Sequence, residues 1–569
     1  MKVNYVASLI LAYVLHEKFD AKIAQCEINE EEFYCDFITK DAISNKDFLR
    51  IEKEMKKVIS NPLEITESLL SKDIAWNLSS NEFYHELISE TKNDKVDIIS
   101  LRNKFFIVKN HELEANYKEI KEFKLSNVGG VYWKANANNA QLTRIYGYAF
   151  NEIDELLRYE TVINDRKERD HRKIGAEMEL FTFNILAGQG LPIWLPKGTS
   201  IKHQIETYVH DSLERYEYQF VQTPVLGSID LYKTSGHWDH YRQNMFAPIT
   251  IDNETLVLRP MTCPHHLLVY KHKLRSYREL PFRMAEHAIL HRYEASGALT
   301  GLERVRAMQL VDTHTVITNN QIVSEISRAF IVITEILKGL NVTIDHIDLS
   351  LHDPNNKEKF FDNPKMWHSA EQQLKQAIDQ LGYKYNAMIG EAAFYGPKID
   401  MQVKTALGHV ITVSTIQLDF LLPERFDLKY IDENGQSTTP VVLHCGIIGT
   451  FERFVSILLE QTKGILPLWL SPIQIAIIPV IEKHYEYANY LKKEFLKHGI
   501  RIMLDDTTER VGKKIRQAQI SKIPYQLVIG DEEVESRTLS YREYGSNEVI
   551  KVSLEKFIGL VNERIKNKN

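Results

Sequence analysis

One cysteine and two histidines, far apart along the chain, are of the types that together hold a metal ion. Cys263 lies within the string Met261-Thr-Cys-Pro-His-His266, His314 follows Asp312 by two residues, and His444 follows an apolar run. One thiolate and two imidazoles suit zinc, and three protein ligands leave the fourth zinc position open for a substrate. The set therefore predicts a zinc site that binds a substrate.

Charged residues surround these candidate ligands at a regular spacing. Three pairs are separated by two positions: Arg292 and Glu294, Arg304 and Arg306, and Asp312 and His314. Residues two apart in a strand point to the same face, so two strands joined by the glycine-containing loop 295–303 would present these pairs to one cavity. The third segment is typical of a strand over 441–444, a glycine-containing turn and a helix that returns Arg453 to the same place. Several arginines at one cavity favour a polyphosphate ligand.

Taken singly, each of these residues has a more ordinary explanation. A lone histidine among apolar residues is usually a hydrogen-bonded core residue, a lone cysteine is usually a small buried hydrophobe, and a lone arginine usually lies at the surface. These residues occur together in the same short segments, and this favours a metal site beside a group of phosphate-binding arginines. The combination indicates an enzyme that activates a small molecule with ATP.

The composition excludes some functional classes and leaves others open. A chain of 569 residues with 44% hydrophobic residues divides into roughly three or four domains. The net charge of −7 excludes a globally basic nucleic-acid binder, so any RNA contact must use a local patch. Four cysteines without a CxxC pair fit a reducing cytoplasm, and we therefore expect a cytoplasmic protein.

The amino-terminal apolar run 6–15 has two interpretations. It could be a short signal peptide, but the polar stretch 16–20 that follows is typical of a helix surface, and no A-x-A cleavage site follows promptly. We expect a half-buried helix that opens a domain. No stretch approaches the roughly 20 apolar residues of a membrane span, so no membrane partner is expected.

The pattern along the chain predicts four regions and an α+β multidomain fold. Residues 1–150 alternate short helical and strand patterns, and residues 151–190 are charge-dense with apolar positions at helical spacing, which predicts a linker helix. Residues 191–466 mix amphipathic helices with short strands, which favours an antiparallel sheet flanked by helices. Residues 467–569 follow a βαβ rhythm, which predicts a C-terminal α/β domain.

Longer strings resemble the threonyl-tRNA synthetases, a family of class II aminoacyl-tRNA synthetases, over essentially the whole chain. The three class II motifs correspond to residues 212–224, 282–306 and 449–453. Strings typical of the threonine-specific family are Ser235-Gly-His-Trp-Asp239, Cys263-Pro, Ser296-Gly-Ala-Leu-Thr-Gly301, Glu391-Ala-Ala-Phe-Tyr-Gly-Pro-Lys398 and Gln417-Leu-Asp-Phe420. The resemblance implies a class II catalytic domain, a C-terminal anticodon-binding domain and, from motif 1, a homodimer. It implies that L-threonine is ligated to tRNA(Thr) with ATP, through threonyl-adenylate.

The resemblance assigns zinc to Cys263, His314 and His444. In the family the metal takes the amino group and the hydroxyl of threonine, and Asp312 matches the residue that accepts the hydrogen bond of that hydroxyl. Valine is isosteric with threonine, and an apolar cavity separates the two poorly, whereas a site built around the hydroxyl leaves valine unsatisfied. Cys445 stands where the family usually has arginine, so it either competes as a ligand or packs.

The resemblance also assigns the ATP and transfer sites. Arg292 matches the arginine that spans the α-phosphate and the amino acid carboxylate, and Glu294 matches the contact to the adenine amino group. Arg304 and Arg453 match arginines on the outer phosphates, where magnesium accompanies ATP. Further matches are Tyr395, Lys398 and Gln417, which line the threonine and ATP site, and His237, which acts near the terminal ribose of the tRNA.

The C-terminal region has its own candidate contacts to the anticodon. A local basic run in an otherwise acidic protein suits RNA, but it equally suits a solvated helix face; its members are Arg510, Lys513, Lys514, Arg516 and Lys522. The resemblance adds Glu533 and Arg542 as contacts to anticodon bases. Lys522 stands where arginine is common in the family.

Residues 1–150 resemble the editing domain of bacterial relatives, without the small ubiquitin-like domain that opens many of them. Those relatives hydrolyse seryl-tRNA with an HxxxH pair and a later aspartate, cysteine and histidine. The framework strings 32–36 and 129–133 are present, but Asn4 and Ser8 stand at the HxxxH positions, and the later positions align with Ile107, Lys109 and Leu113. Without an imidazole or thiol to activate water, we expect serine editing to be lost. The alternative is a shifted alignment in which His16, His85 or His111 rebuilds a site.

Two other functions stay open on the sequence alone. A zinc hydrolase could use the same three ligands with a metal-bound water, although it would not need Arg292, Arg304 and Arg453. A non-catalytic tRNA-binding paralogue would need neither these phosphate-binding arginines nor the three candidate zinc ligands. Threonine-stimulated ATP–pyrophosphate exchange separates both from a ligase.

Overall fold

The computed structural model describes residues 3–29, 32–61, 63–136, 138–405 and 408–568. The chain divides into two compact units, Met1–Asp165 and Arg166–Asn569. Within these described ranges, no helix is both long and apolar enough to cross a membrane.

The first unit is built around a helix whose residues 4–15 are apolar on every side except for Asn4 and Ser8. Its elements are α1 (Asn4–Phe19), β1 (Lys22–Ile28), β2 (Phe33–Ile38), α2 (Phe48–Ser60), β3 (Ile65–Ser71), α3 (Lys72–Trp76), α4 (Glu82–Glu90), β4 (Lys95–Leu101), β5 (Phe105–Val108), β6 (Glu122–Tyr132), β7 (Gln141–Phe150) and the start of α5 (Ile153–Arg169). Antiparallel sheets of order β1–β2–β7–β6 and β3–β4–β5 share a core with α1. Residues 4–15 of α1 are all buried, as a helix segment with apolar residues on every face requires. The helix therefore lies deeper than the half-buried helix that was expected.

The segment 151–190, expected to be a single linker helix, contains several elements. After α5 come α6 (His171–Glu177) and β8 (Phe181–Thr182). The side chain of Asp170 accepts a hydrogen bond from the Arg172 N–H at 2.8 Å, which starts a new helix. Leu180 is fully buried in the core of the second unit. The apolar residues near Leu180 therefore belong to the core of the second unit and do not form one side of a long helix.

An eight-stranded sheet stands at the centre of the second unit and confirms the predicted antiparallel sheet with helices. The elements are β9 (Ile193–Trp194), α7 (Pro196–Arg215), β10 (Gln219–Phe220), β11 (Leu226–Ser228), α8 (Ile229–Ser235), α9 (His237–Tyr241), β12 (Ile249–Ile251), β13 (Glu254–Leu258), α10 (Cys263–Lys271), β14 (Arg275–Ser276), β15 (Phe282–His291), β16 (Ala307–Ile317), α11 (Ile322–Gly339), β17 (His346–Leu351), α12 (Pro364–Leu381), β18 (Asn386–Ile389), β19 (Lys398–Lys404), β20 (Val410–Asp419), α13 (Leu421–Arg425), β21 (Tyr430–Ile431), β22 (Ser437–Thr438), β23 (Val441–Thr450) and α14 (Phe451–Thr462).

The order of the large sheet is β10–β15–β16–β23–β20–β19–β17–β18. Its neighbouring strands are antiparallel except for β10 with β15 and β17 with β18. Apolar side chains of α7, α11, α12 and α14 pack against one face of this sheet. Because side chains alternate between faces, the polar residues of the same strands point to the other face.

The C-terminal part of the second unit is the predicted α/β layer, with a difference at one edge. Its elements are β24 (Ile475–Pro479), α15 (Tyr485–Lys497), β25 (Ile502–Leu504), α16 (Val511–Ile520), β26 (Tyr525–Ile529), α17 (Asp531–Ser536), β27 (Thr538–Glu543), β28 (Ile550–Ser553) and α18 (Leu554–Lys566). The strand order is β25–β24–β26–β27–β28. The first three strands are parallel, as the βαβ rhythm predicted, whereas β27 and β28 are antiparallel additions.

Candidate functional site

Four neighbouring strands place candidate residues in one row across the large sheet. His314 on β16 is paired with His444 on β23, His444 with Gln417 on β20, and Gln417 with Lys398 on β19. Directly paired residues point to the same face, with neighbouring strands ~4.8 Å apart. Asp312 precedes His314 by two residues in β16 and shares that face, as its spacing predicted. The row therefore forms the floor of a single polar site.

Cys263 completes a cluster of possible metal ligands with His314 and His444. It is the first residue of α10, and one ligand atom from each of the three buried side chains lies within 4.8 Å of the others. Cys445 follows His444 in the strand and points to the opposite face, where its side chain is fully buried in the apolar core. Of the two roles left open for Cys445, the structure therefore supports packing.

Each histidine of the cluster has one ring nitrogen engaged in a hydrogen bond. Nε2 of His444 lies 2.8 Å from Oδ2 of Asp419, and Nδ1 of His314 lies 2.8 Å from Nδ1 of His266. The other nitrogen of each ring is left for a metal, and a polar partner on the far nitrogen is what orients histidine ligands in metalloproteins. The donor set of one thiol and two oriented imidazoles fits zinc.

The electrostatics of the cluster agree with this donor set. Burial, and then the carboxylates of Asp312 and Asp419, raise the pKa of the Cys263 thiol well above its usual range. A thiolate here therefore needs a positive charge beside it, which a zinc ion supplies. Burial, and then the charge of His444, lower the pKa of His314 well below its usual range, so its ring is neutral, as a ligand must be.

Behind the cluster lies a buried polar chain that the sequence did not single out. Glu286 accepts hydrogen bonds from His266 Nε2 at 2.9 Å, Thr223 Oγ1 at 2.7 Å and Arg259 Nη2 at 3.0 Å. Burial opposes ionisation of this carboxyl, but these donors and the Arg259 charge lower its pKa to about 2. His266 follows Cys263 by three residues on α10, and that spacing, which puts both on one helix face, was the available signal.

The cluster opens into a cavity of about 860 Å³. This volume lies within the range of small-molecule sites, roughly 300–1,000 Å³. Nine of the residues expected from the sequence line it, namely Cys263, Arg292, Asp312, His314, Tyr395, Lys398, Gln417, His444 and Arg453. The structure thus brings the candidate metal ligands and two candidate phosphate-binding arginines to one space.

Arg292 and Arg453 reach this cavity from different elements. Arg292 lies just after β15, and its Nε donates to the carbonyl oxygen of Pro260 at 3.3 Å. Arg453 lies in the first turn of α14, and its Nε donates to the carbonyl oxygen of Glu303 at 3.1 Å. Burial, and then the charge of Arg292, lower the pKa of Arg453. The two guanidinium groups are therefore close enough to repel each other, and a polyanion bound between them relieves that repulsion.

A glycine and a threonine set the position of Arg453. Strand β23 continues to Thr450, beyond the expected strand 441–444, so its glycines lie within the strand rather than in a turn. Gly449 has a φ of 63°, and a Cβ there would lie 3.1 Å from the carbonyl oxygen of Val413, so this close approach favours glycine. Thr450 Oγ1 accepts a hydrogen bond from the Arg453 N–H at 3.1 Å, so α14 begins directly at the end of the strand.

Glu294 and Arg304 lie outside the lining of the cavity. They were expected in strands, but β15 ends at His291 and β16 begins at Ala307, so both belong to the connecting loop. The guanidinium of Arg306 donates to the carbonyl oxygen of Glu294 at 2.9 and 2.8 Å. These bonds hold the loop just beyond β15, and Arg304 is exposed.

His237 lies directly behind the metal cluster rather than in the cavity lining. Its Nε2 is 3.6 Å from Cys263 Sγ, and its Nδ1 is 2.8 Å from Ser235 Oγ. Burial, and then the charges of His444 and Arg425, lower the pKa of His237 to about 3. The ring is therefore neutral and contacts the cysteine in this arrangement.

The remaining lining residues are held by their own partners. The hydroxyl of Tyr395 donates to Gln417 Oε1 at 2.5 Å, and burial raises the pKa of this tyrosine well above its usual range. The ammonium group of Lys398 donates to Asp400. The hydroxyl of Thr262 donates to Asp312, whose pKa is raised by burial. The wall around the metal cluster is therefore preorganised.

The anticodon candidates lie in the C-terminal α/β layer. Glu533 caps α17, because its carboxylate accepts hydrogen bonds from the Gly530 N–H at 2.9 Å and from Ser540 Oγ at 2.5 Å. Arg542 on β27 is paired with Gln526 on β26. The buried Nε of Arg542 has no hydrogen-bond partner in the described part of the chain.

The basic run is smaller than the sequence suggested. Lys514 is buried and donates to the carbonyl oxygen of Asp505 at 2.9 Å, and Lys522 donates to the carbonyl oxygen of Lys463. Burial also lowers the pKa of Lys522. The exposed members of the run are Arg510, Lys513 and Arg516.

Comparison with known proteins agrees with this geometry. The family described as "tRNA synthetase class II core domain (G, H, P, S and T)" matches residues 246–462, and the family described as "Anticodon binding domain" matches residues 474–564. A solved structure of the RNA binding domain of threonyl-tRNA synthetase from Cryptosporidium parvum Iowa II is similar with a TM-score of 0.65 and 36% identity, over 69% of this chain and 98% of that chain.

Curated relatives cover nearly the whole chain. A threonine–tRNA ligase of Ureaplasma parvum is 51% identical over 572 residues, which cover 99% of this chain and 98% of the relative. A threonine–tRNA ligase of Staphylococcus aureus is 48% identical over 535 residues, which cover 93% of this chain and 83% of the relative. The chain belongs to the threonine–tRNA ligase family of class II aminoacyl-tRNA synthetases.

Proposed function

We propose that this chain forms threonyl-adenylate and pyrophosphate from L-threonine and ATP and then esterifies the terminal ribose of tRNA(Thr). The shared cavity carries the proposal, because the cluster of Cys263, His314 and His444 faces the same space as Arg292 and Arg453. A metal site alone would suit a hydrolase. A metal site beside a pair of mutually repelling arginines suits an enzyme that joins an amino acid to a nucleotide.

The metal side of the cavity selects threonine. Cys263, His314 and His444 would hold zinc, which supplies Lewis-acid charge for the amino group and the hydroxyl of the substrate. Asp312, beside His314 on the same face, accepts the hydrogen bond of that hydroxyl. Valine has no hydroxyl and leaves this carboxylate without a donor from the substrate, so it is rejected.

The arginine side of the cavity carries the adenylation step. A carboxylate oxygen of threonine forms a bond to the α-phosphorus, the bond from that phosphorus to the bridging oxygen breaks, and pyrophosphate leaves. Magnesium bound with ATP would supply further positive charge for these phosphates. Arg292 and Arg453 balance the charge that moves onto the phosphate oxygens. We assign Glu294 to the adenine and Arg304 to the outer phosphates, which requires the loop 292–306 to close over ATP.

Transfer and tRNA recognition use residues farther from the metal. His237 is assigned to the transfer step near the terminal ribose, and Tyr395, Lys398 and Gln417 to the substrate walls. Glu533, Arg542 and Lys522 are assigned to anticodon bases. We assign residues 1–150 to an editing-like domain, 151–190 to a linker, 191–466 to catalysis and 467–569 to anticodon binding, in a homodimer joined through motif 1.

ATP–pyrophosphate exchange tests the proposed reaction. We expect exchange that depends on threonine, is weak with valine and is lost when a strong chelator removes the metal. Aminoacylation of tRNA(Thr) should follow with the same purified protein. Absence of threonine-dependent exchange in protein that contains zinc would favour a hydrolase or a non-catalytic tRNA-binding protein instead.

The proposal also includes the loss of serine editing by the first unit. Serine offers zinc the same amine and hydroxyl as threonine, and its missing methyl group provides only ~1–3 kcal/mol of discrimination. At the positions of the HxxxH pair, Asn4 Oδ1 accepts a hydrogen bond from the Ala149 N–H at 2.8 Å, and Ser8 Oγ donates to the carbonyl oxygen of Tyr5 at 2.7 Å. Both side chains are buried, which supports a structural rather than a hydrolytic role.

The later editing positions support the same conclusion. Ile107 is an apolar core residue, and Leu113 is a partly buried residue that packs against the same core. Lys109 forms ion pairs with Glu67 at 2.7 Å and Glu112 at 2.6 Å. An ammonium group held by two carboxylates is a poor general base, because it stays protonated.

His111 is the strongest candidate for a rebuilt editing site. Its Nε2 lies 2.6 Å from Glu27 Oε2, and the side chain is one-third exposed. By contrast, Nε2 of His85 lies near the carbonyl oxygens of Trp76 and Ser79. His111 is therefore the histidine whose removal tests the alternative.

Incubation of purified seryl-tRNA(Thr) with the enzyme tests the loss of editing. We expect hydrolysis at the spontaneous rate, and the same rate with the His111→Ala variant. The His16→Ala and His85→Ala variants test the two other histidines of the alternative in the same way. Hydrolysis well above the spontaneous rate that disappears in His111→Ala would replace the proposed loss by a rebuilt site.

A further inference from the structure

We infer that His266 is a positioning residue for the metal site, because it holds His314 in the tautomer that presents Nε2 to zinc and is itself held by Glu286. The inference rests on the proposed zinc site. It concerns three side chains from α10, β15 and β16, with ring and carboxylate atoms 2.8 and 2.9 Å apart.

The direction of the hydrogen bonds follows from the donors around Glu286. Arg259 is permanently charged, is as buried as Glu286 at 2% exposed, and donates to it at 3.0 Å. This buried positive charge keeps the carboxylate ionised, and an ionised carboxylate can only accept. His266 must therefore carry a hydrogen on Nε2, which lies 2.9 Å from Glu286 Oε2. A neutral His266 then has its lone pair on Nδ1.

The tautomer of His314 follows in turn. Its Nδ1 lies 2.8 Å from Nδ1 of His266, and a contact at this distance needs one hydrogen between the two nitrogens. Because His266 has a lone pair there, the hydrogen belongs to His314, and Nε2 of His314 is left with the lone pair that a metal requires. The opposite arrangement would put the hydrogen on Nε2 of His314 and block ligation.

The two side chains that support His314 are shielded from solvent. The side chains of His266 and Glu286 are 0% and 2% exposed, and the two imidazole rings meet edge to face at 4.7 Å. His444 is supported differently, because it contacts a carboxylate, Asp419, directly. One ligand is thus oriented by a carboxylate and the other by a carboxylate acting through a second histidine.

Zinc affinity of the full-length protein tests the inference, measured by competition with a chromophoric chelator. We expect His266→Phe, which keeps the volume but removes the acceptor, to bind zinc roughly 10–100-fold more weakly. His266→Gln should recover part of the affinity, because its amide oxygen can accept from His314 while its amide nitrogen donates to Glu286. The matched control is His265→Phe, a neighbouring buried histidine whose ring packs against Tyr232; it should bind zinc like the parent protein.

The same variants separate a positioning role from a general loss of structure. The threonine KM should rise in His266→Phe while the ATP KM stays close to that of the parent, and circular dichroism should show the same folded spectrum. If His266→Phe fails to fold, Glu286→Gln replaces it, with an expected weakening of zinc binding between those of the parent and the phenylalanine variant. Unchanged zinc affinity in a folded His266→Phe would overturn the inference alone. A parent protein that binds no zinc would instead overturn the proposed function on which it rests.

Discussion

The two units bury polar side chains for different purposes. In the first unit, Asn4 and Ser8 bond to backbone groups at 2.8 and 2.7 Å. In the second unit, the equally buried His314 and His444 each use one ring nitrogen for a neighbouring side chain and leave the other beside Cys263. Burial of a polar group is therefore no sign of function by itself. What distinguishes the metal cluster is that ligand atoms remain after the structural hydrogen bonds are made.

Buried ion pairs of the two units show the same difference. Asp36 receives two hydrogen bonds from Arg144, at 2.6 and 2.8 Å, and a third from Gln25 at 2.8 Å. Glu286 is also held by an arginine and a neutral donor, but its third donor is His266, which contacts a candidate metal ligand. The first network is complete within its own sheet, whereas the second continues to the site.

Replacement of a metal ligand should have the largest effect. His444→Ala should lose zinc and abolish threonine activation, while circular dichroism reports an intact fold. The matched control is Cys445→Ala, which changes the next residue on the opposite face of the same strand and should keep its zinc. Zinc content and pyrophosphate exchange are the two measurements. Near-normal zinc content in the His444→Ala variant would contradict the assignment of His444 as a metal ligand, and with it the difference between the two units.

Loss of a clamp arginine should have the next largest effect. Arg453→Ala should lower threonine-dependent pyrophosphate exchange by at least about a hundredfold, because the charge on the phosphates is no longer balanced in the transition state. Zinc content should not change. The exposed Arg278 offers a control, since Arg278→Ala removes the same charge away from the cavity. Equal exchange rates for the two variants would contradict the clamp assignment.

Low pH should reveal how much the buried Glu286 carboxylate contributes to the stability of the second unit. The pKa of Glu286 is lowered from 4.5 to about 2, so its ionised form stabilises the fold above pH 4.5, and that contribution disappears as the pH falls toward 2. The shift corresponds to about 3 kcal/mol. Urea unfolding of the parent and of Glu286→Gln at pH 6 and pH 3 measures it. The gap in free energy of unfolding between them should shrink at pH 3, and a constant gap would show that the carboxylate charge is not what stabilises.

A change at Asn4, one of the two positions aligned with the HxxxH pair, should have the smallest effect. Asn4→Leu leaves the Ala149 N–H without its acceptor, so we expect a loss of about 1–3 kcal/mol in the stability of the first unit. Threonine activation and the rate of seryl-tRNA(Thr) hydrolysis should not change. Thermal unfolding and the two activity assays measure these outcomes. A change in seryl-tRNA(Thr) hydrolysis would mean that Asn4 has a chemical as well as a structural role.

Local patterns predicted the elements that carry the site. The spacing of two between Asp312 and His314 correctly put both on one face of a strand, because side chains alternate along a strand whatever its partners are. The apolar run 6–15 correctly predicted a helix, although not its depth in the core. The same local reasoning made the predicted strands too long at 292–306 and the predicted helix too long at 151–190. There the ends of elements depend on contacts such as that of Arg306 with the Glu294 carbonyl, which the local pattern does not contain.

By itself the sequence determined which residue types were available as ligands and clamps, and on which face of its own element each would stand. Only the tertiary structure decided which of them meet. His314, His444 and Gln417 became neighbours through the register of three strands that are distant in sequence, and the support of His314 by Glu286 through His266 required a helix to pack beside that sheet. The same packing makes Lys514 and Lys522 unavailable as members of the basic run, because their ammonium groups donate hydrogen bonds to backbone carbonyl oxygens. Spacing along one element is a property of backbone geometry, whereas register and packing between elements follow from the burial of the whole apolar core.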